Sequence, residues 1–218
     1  MCNMPRVAAP AVRTALVEAA AEMLAGRVAV TARSLADRAG TSTTAVYTHF
    51  GGMPGLWRAV RQEGFTRLAG RLAEVPRTDD AVHDLAALGA AYVAAAHASP
   101  FLYRAMFDAA ADLEDPAAAD ASFSRLVEAA ERARQAGRFS ADADPAAVAT
   151  RFWAAGHGLT MLVLTDVLPP EASLSHGPEL AVAVCVAAGD DLARCRESVL
   201  RGWAPTLPGG PIGPPAQG

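Results

Sequence analysis

Apolar residues recur along this chain at three- and four-residue spacing, the period of a helix with one buried face. No run alternates apolar and polar residues between hairpin turns, and there is no internal repeat. Pro10 suits the opening of the first helix, in which Leu16, Ala20, Met23 and Leu24 make the stripe and Gly26 closes it. Leu35, Ala36 and Ala39 mark a short second helix that ends at Gly40, a residue that adopts left-handed backbone cheaply. Ser42 then offers a hydroxyl to cap a third. Stepping about 100° per residue from Thr43 puts Thr43, Thr44, Tyr47 and Thr48 on one side and Ala45, Val46 and Phe50 on the other. So short a helix cannot stand alone: it needs a scaffold, and its hydroxyl-bearing face needs a partner.

After the break at Gly51 and Gly52, Pro54 is placed to start a fourth helix with the stripe Leu56, Val60, Phe65, Leu68 and Leu72, long enough to link two domains. Pro76 to Asp80 is the linker candidate. Beyond it, DDAVHDLAALGAAYVAAAHA reads as one helix with aspartates in its first turn, where they complement the helix dipole. SPFLYRAMFD follows as a short aromatic helix, 114–120 as a loop, and SFSRLVEAAERARQAGR as a further helix ending near Gly137. Asp144 and Pro145 give a cap and first position for AAVATRFWAAGHGLTMLVLTDVL, which Pro169 and Pro170 terminate, and one last long helix runs from about Pro178 to Trp203. The expected organisation is a flexible arm over 1–9, a first domain over 10–57, a connecting helix and linker over 58–77, a larger helical domain over 78–203, and a disordered Pro- and Gly-rich tail over 204–218.

Composition agrees with an all-α fold: 52% of residues are apolar, many of them alanine, and 19% are charged. The net charge of −4 hides an asymmetry, because Met1 to Arg77 holds ten arginines against five acids while the remainder holds nine against eighteen. A basic end on an acidic body is the pattern of a chain whose one end meets a polyanion. All 19 basic residues are arginine, which is read mainly as genome composition. Cys2, Cys185 and Cys195 make no CxxC pair, so neither a disulfide framework nor a zinc site is expected. No membrane-length apolar stretch and no signal-peptide layout stands out, so a cytoplasmic location is the expectation.

The run LADRAGTSTTAVYTHF followed by GGMPGL resembles the helix-turn-helix domain of TetR-type (TetR/AcrR) transcriptional regulators over roughly residues 10 to 65, with the AGxS turn, the YxHF end and Leu56 at the family's spacing. SPFLYRAMF, and Trp153-Ala-Ala-Gly-His157-Gly158 further on, are similar to the carboxy-terminal domain of the WHG subgroup. The resemblance implies an N-terminal three-helix DNA-binding domain plus a larger helical bundle for ligand binding and dimerisation. It also implies a homodimer that represses transcription at a palindromic double-stranded DNA operator and lets go when a small apolar or amphipathic effector enters the second domain. Met53 departs from the pattern: it stands where the family usually carries a lysine that meets a phosphate. Free N–H groups at the start of the fourth helix could still face one.

In this setting Thr43, Thr44 and Thr48 are candidates for base edges and sugar-phosphate in the major groove. The third helix has no Arg, Asn or Gln, so readout rests on threonine methyls and hydroxyls, water and DNA shape, with Arg33 of the preceding helix as the best candidate to reach a base or phosphate. Tyr47 and His49 resemble the family's phosphate-contacting pair. The ideal helical wheel sets His49 among the apolar residues, so only fraying at the helix end would turn it to DNA. Ser42 and Thr31 complete the DNA-binding candidates: Ser42 caps the third helix at that surface, and Thr31 could cap the second helix and touch a phosphate, the cap alone being the favoured role. Phe50 is assigned to the core.

In the second domain Phe101, Tyr103, Met106, Phe107, Phe123, Trp153, His157 and Met161 form a pool of aromatic, thioether and imidazole groups amid alanines. Some would line an effector pocket, with His157 or Tyr103 giving a polar contact; the competing reading is an ordinary core. Asp80, His83 and Asp84 could collect a metal, but a solvated first turn is favoured, and neither metal nor cofactor is expected. Val163, Leu164, Leu180, Val182, Val184 and Val186 lie on short, strongly apolar stretches, of which one face could bury against its own domain and leave another for a twofold partner. An enzyme is disfavoured by five scattered histidines and the lack of a phosphate loop or GxSxG turn. A protein-interaction module remains the alternative to a regulator.

Overall fold

The computed structural model describes residues 9–26, 28–107 and 113–204, and among these it holds ten α-helices and no strands. In order they are α1 (Ala9–Ala25), α2 (Ala32–Arg38), α3 (Thr43–Phe50), α4 (Met53–Ala73), α5 (Ala81–Ala98), α6 (Pro100–Met106), α7 (Ala117–Gln135), α8 (Pro145–Leu164), α9 (Ala172–Ala187) and α10 (Leu192–Trp203). Of the arm expected over 1–9, residues 1–8 lie outside the described residues and Ala9 begins α1; of the tail expected over 204–218, residues 205–218 lie outside them.

The chain divides into two compact units, Met1–Arg67 with Ser99–Ala118, and Leu68–Ala98 with Ala119–Gly218. In the first unit the amphipathic stripes meet in one apolar core of Leu16, Val17, Ala20, Met23, Leu35, Val46, Leu56 and Val60. Leu102 of α6 joins that core, so the short aromatic helix groups with the amino-terminal helices rather than with the 78–203 segment in which the sequence reading placed it.

Five sequence expectations are corrected at their boundaries. α4 begins at Met53, one residue ahead of Pro54. α7 begins at Ala117, inside the stretch expected as a loop over 114–120, because the Asp115 carboxylate accepts from the Ala117 amide and starts the turn. α8 stops at Leu164, ahead of the two prolines; Asp166 follows in left-handed backbone at φ 62°. The last long helix is two helices. Ala188 ends α9, Gly189 turns the chain at φ 111°, and the Asp191 carboxylate caps α10 through the Arg194 amide at 2.9 Å. Pro178 does not open a helix but lies inside α9.

In the second unit α10 packs along α5, and α8 pairs with α9. The α5–α10 approach is tight: a β-carbon on Gly202 would lie 2.6 Å from the His83 carbonyl oxygen, so that crossing admits only glycine. The first turn of α5 is also unlike the solvated one expected. Asp84 is buried, and its carboxylate accepts from Thr78 Oγ1 and Arg132 Nη1, each at 2.7 Å. Asp80 accepts from Ser198 Oγ at 2.6 Å, Arg138 Nη1 at 2.9 Å and Arg201 Nη2 at 2.7 Å. Buried Arg138 in turn grips buried Asp190 through Nε and Nη2, both at 2.7 Å. Long-range partners supplied by α7, the α7–α8 turn and α10 have replaced water.

Candidate functional site

Residues 31–57 carry the helix pair that the sequence singled out. Thr31 caps α2 in a reciprocal box: its Oγ1 accepts from the Ser34 amide at 3.1 Å, and the Ser34 hydroxyl accepts from the Thr31 amide at 3.0 Å. Gly40 turns the chain at φ 63°, and Ser42 Oγ accepts from the Ala45 amide at 3.3 Å to start α3. The Thr31 hydroxyl is thereby tied into the start of α2, and the Ser42 hydroxyl into the turn that leads from α2 to α3. At the other end Gly51 closes α3 in left-handed backbone, its amide bonded to the Tyr47 carbonyl at 2.9 Å. A β-carbon on Gly55 would sit 1.8 Å from the Phe50 carbonyl oxygen. Only glycine lets the first turn of α4 come so close to the end of α3.

Val46 is fully buried, and Ala45, His49 and Phe50 are half-buried. Thr43, Thr44, Tyr47 and Thr48 are exposed, Tyr47 to 61%. Thr48 Oγ1 donates back to the Thr44 carbonyl at 2.9 Å, which leaves its methyl and lone pairs to face outward. Arg33 is exposed on α2. His49 stays on the inner side, edge-on to Phe50 at 6.3 Å between ring centres. Met53 is half-buried and packs on the apolar core.

The eight aromatic, thioether and imidazole candidates fall into both units. In the first, Tyr103 and Met106 are buried, and Phe101 and Phe107 are half-buried. Phe107 stands edge-on to Tyr103 at 5.1 Å and to Phe65 at 5.7 Å, so these rings are core-forming. In the second, Phe123, His157 and Met161 are half-buried and Trp153 is exposed to 37%. Trp153 meets Phe123 at 6.3 Å and His157 at 5.8 Å. Its indole N–H donates to Tyr92 Oη at 3.2 Å, and the same oxygen shares a hydrogen bond of 3.1 Å with His157 Nδ1. Burial holds the His157 imidazole below the usual histidine range and favours its neutral form. Tyr92 is the residue that sequence reasoning missed; the only signal was one of three tyrosines standing in an alanine-rich helix. Among the described residues no group of three His, Cys, Asp or Glu side chains is placed to hold a metal, and no single helix is long and apolar enough to cross a membrane.

Two family models cover most of the ground just described. Residues 16–60 match the model of bacterial regulatory proteins of the tetR family, and residues 85–185 match that of the tetracyclin repressor-like C-terminal domain. The chain belongs to the TetR family. Among solved structures, a protein of unknown function from Rhodococcus sp. RHA1 is similar at 26% identity and TM-score 0.66 over 81% of this chain and 92% of that one. RolR in complex with resorcinol superimposes at TM-score 0.64 with 19% identity, over 88% and 95%. A complex of SmeT with triclosan does so at 0.59 with 24% identity, over 82% and 91%; SmeT is the repressor of a Stenotrophomonas maltophilia multidrug efflux pump. A search of curated proteins gave no match. For this TetR-family chain the two lower-identity likenesses carry the fold, and the amino-terminal match runs from within α1 through α2 and α3 into α4.

Proposed function

We propose that this protein is a ligand-responsive transcriptional repressor that binds a palindromic DNA operator as a homodimer. The outward face of α3 carries the reading: Thr43, Thr44, Tyr47 and Thr48 are exposed together on a helix whose two ends are fixed by Ser42 and by Gly51 and Gly55. In the major groove that face offers threonine methyls to thymine and hydroxyls to base edges, with the Tyr47 phenol and Arg33 on phosphates. Thr31 and Ser42 hold the geometry, and His49 packs behind it. The basic balance of Met1 to Arg77 supplies attraction to the polyanion.

One small head makes few contacts, and two heads about 34 Å apart reach successive major grooves. Exposed Ala154, Gly158 and Leu162 share one face of α8, and exposed Ala183 and Ala187 one face of α9; together they suit a close twofold partner. The effector is a small apolar or amphipathic molecule, received where Trp153, Phe123, Met161, His157 and Tyr92 gather. The resorcinol and triclosan complexes of RolR and SmeT make phenols the first probes. Release follows if the effector favours a head spacing that no longer matches one turn of DNA.

Footprinting on the DNA flanking the protein's own gene, across a salt series and with added phenols, tests the proposal. Tyr47→Ala and Thr43→Ala separate it from a helical interaction module. Loss of a hydrogen bond to a charged phosphate should weaken operator binding by on the order of tenfold for Tyr47→Ala. Dimers should persist and stability should stay within about 0.5 kcal/mol, because the side chain is exposed. Unchanged binding by both variants would sink the regulator.

A further inference from the structure

Residues 113–116 come just before α7, and two hydrogen-bonded contacts tie them to α4 and α1 in the first unit. The Asp115 amide donates to Gln62 Oε1 of α4 at 2.8 Å. Arg13 of α1 places one amino nitrogen, Nη2, between both carboxylate oxygens of Glu114, at 2.7 and 2.6 Å. The same guanidinium lies over the Phe50 ring, 5.4 Å from its centre. Phe50 is the last residue of α3, and its carbonyl is the point that Gly55 of α4 approaches. A flat cation is thus held between a carboxylate on one segment and an aromatic ring at the end of the outward-facing helix.

We propose that Arg13 is a positioning residue for α3, and that Glu114 sets the position of Arg13. The inference rests on the reading of α3 as the DNA-contacting helix. An aromatic ring under a guanidinium favours one planar orientation of both, and the carboxylate, accepting from Nη2 at the edge of the cation, holds the guanidinium in that orientation. The Phe50 ring then fixes the last turn of α3, which carries Tyr47 and Thr48. Segment 113–116, distant in sequence from the helix pair, acts on that turn through one side chain. Contiguity alone does not establish coupling; a double-mutant cycle does.

The test uses the full-length chain with Arg13→Ala, Glu114→Gln, both together, and Arg13→Lys. DNA affinity is measured across a salt series, and hydrogen exchange is followed at the Gly51 amide, which closes α3 on the Tyr47 carbonyl. Each single change should weaken DNA binding roughly three- to tenfold, the pair no more than Arg13→Ala alone, with the salt slope unchanged. Gly51 should exchange faster without DNA present, and Arg13→Lys, which keeps the charge and loses the plane, should fall between. Tighter binding by Glu114→Gln, or a salt slope lowered by about one in Arg13→Ala, would make Arg13 a phosphate contact that Glu114 restrains and would overturn the proposal. Unchanged Gly51 exchange in every variant would also overturn it. If the unmodified chain shows no salt-sensitive DNA binding, the regulator reading fails instead, and Gly51 exchange alone decides the role of Arg13.

Discussion

The interior of the first unit is Leu16, Leu35, Val46, Leu56 and Val60, with no charge among them, whereas the second unit buries Asp84, Arg138, Asp190 and Ser198 beside its apolar side chains. In the helix pair of the head, Thr31 and Ser42 sit at helix caps and Thr43, Thr44, Tyr47 and Thr48 face outward. In the body, buried Asp84, Arg138 and Asp190 are tied to partners inside that unit. Apolar packing has no direction, so the head is specified by shape and by its glycine and hydroxyl turns. Charge pairs with fixed geometry add direction: Asp80, Arg138 and Asp190 fit only when α5 and α10 are in one register, which Gly202 also enforces. A domain that must hold its frame while a ligand enters gains from that second kind of constraint.

The contrast is broken most severely at Asp190. Asp190→Asn keeps the shape but leaves the buried Arg138 guanidinium with the Asp80 carboxylate as its remaining anion, and it should cost up to about 3–5 kcal/mol of unfolding free energy in a denaturant titration. Replacing both partners, Arg138→Met with Asp190→Leu, should recover part of that loss, since it removes the weakly paired buried cation while Asp80 keeps Ser198 and Arg201. A shape-conserving change in the head should behave oppositely. Leu35→Met should cost less than about 1.5 kcal/mol, while Leu35→Ala, which opens a void at a fully buried position, should cost about 2–5 kcal/mol. Equal tolerance of Asp190→Asn and Leu35→Met would erase the distinction between the two interiors.

Acid provides a milder and more selective probe. Burial by itself would raise the carboxyls of Asp80 and Asp84, but this is outweighed at Asp80 by the Ser198 hydroxyl, the His83 amide, Arg138 and Arg201. At Asp84 the Thr78 hydroxyl, Arg132, the Thr78 amide and His83 do the same, and both groups end below the ordinary value of 3.8. A depressed carboxylate contributes stability that is complete above its unfolded value and is lost as pH falls through the folded one. Unfolding free energy should therefore be flat above about pH 5 for these groups and decline below 3.8. Asp84→Asn, measured over the same range, should flatten the decline.

How much of this was legible in the chain itself depends on the range of the interactions. Thr31, Ser42, Gly40 and Gly51 act on neighbours within a few residues, and their roles in turning and capping the helix pair could be read from spacing alone. The outward side of α3 followed from a helical wheel because Val46 and Phe50 point in and Tyr47 points out. Asp80 and Asp84 were misread as solvated because their partners Arg132, Arg138, Ser198 and Arg201 stand 48, 58, 118 and 121 residues away. The break between α9 and α10 was missed for a different reason: apolar periodicity continues through Cys185 and Cys195 on either side, and only Gly189 and the Asp191 cap betray the turn. Tyr92 reveals its place beside Trp153 and His157 only when α5 and α8 are packed.

The smallest expected effect concerns Met53, which stands where the resemblance to the family leads one to expect a lysine. Met53 is the first residue of α4, half-buried on the apolar core, and it follows the Gly51–Gly52 turn that ends α3. Met53→Lys keeps an aliphatic stem for the same apolar contact and adds a cation that can snorkel to a phosphate. Against it works the positive end of the α4 dipole, which disfavours a cation by about 0.3–1 kcal/mol and should slightly lower stability. With DNA present the new charge should tighten binding by a few fold at low salt and steepen the dependence of log affinity on log salt by about one. Base preference should stay the same, because a phosphate contact fixes register without reading sequence. A variant with unchanged slope would mean that the start of α4 does not face the DNA backbone, and the docking of α3 in the groove would then have to be turned about its axis.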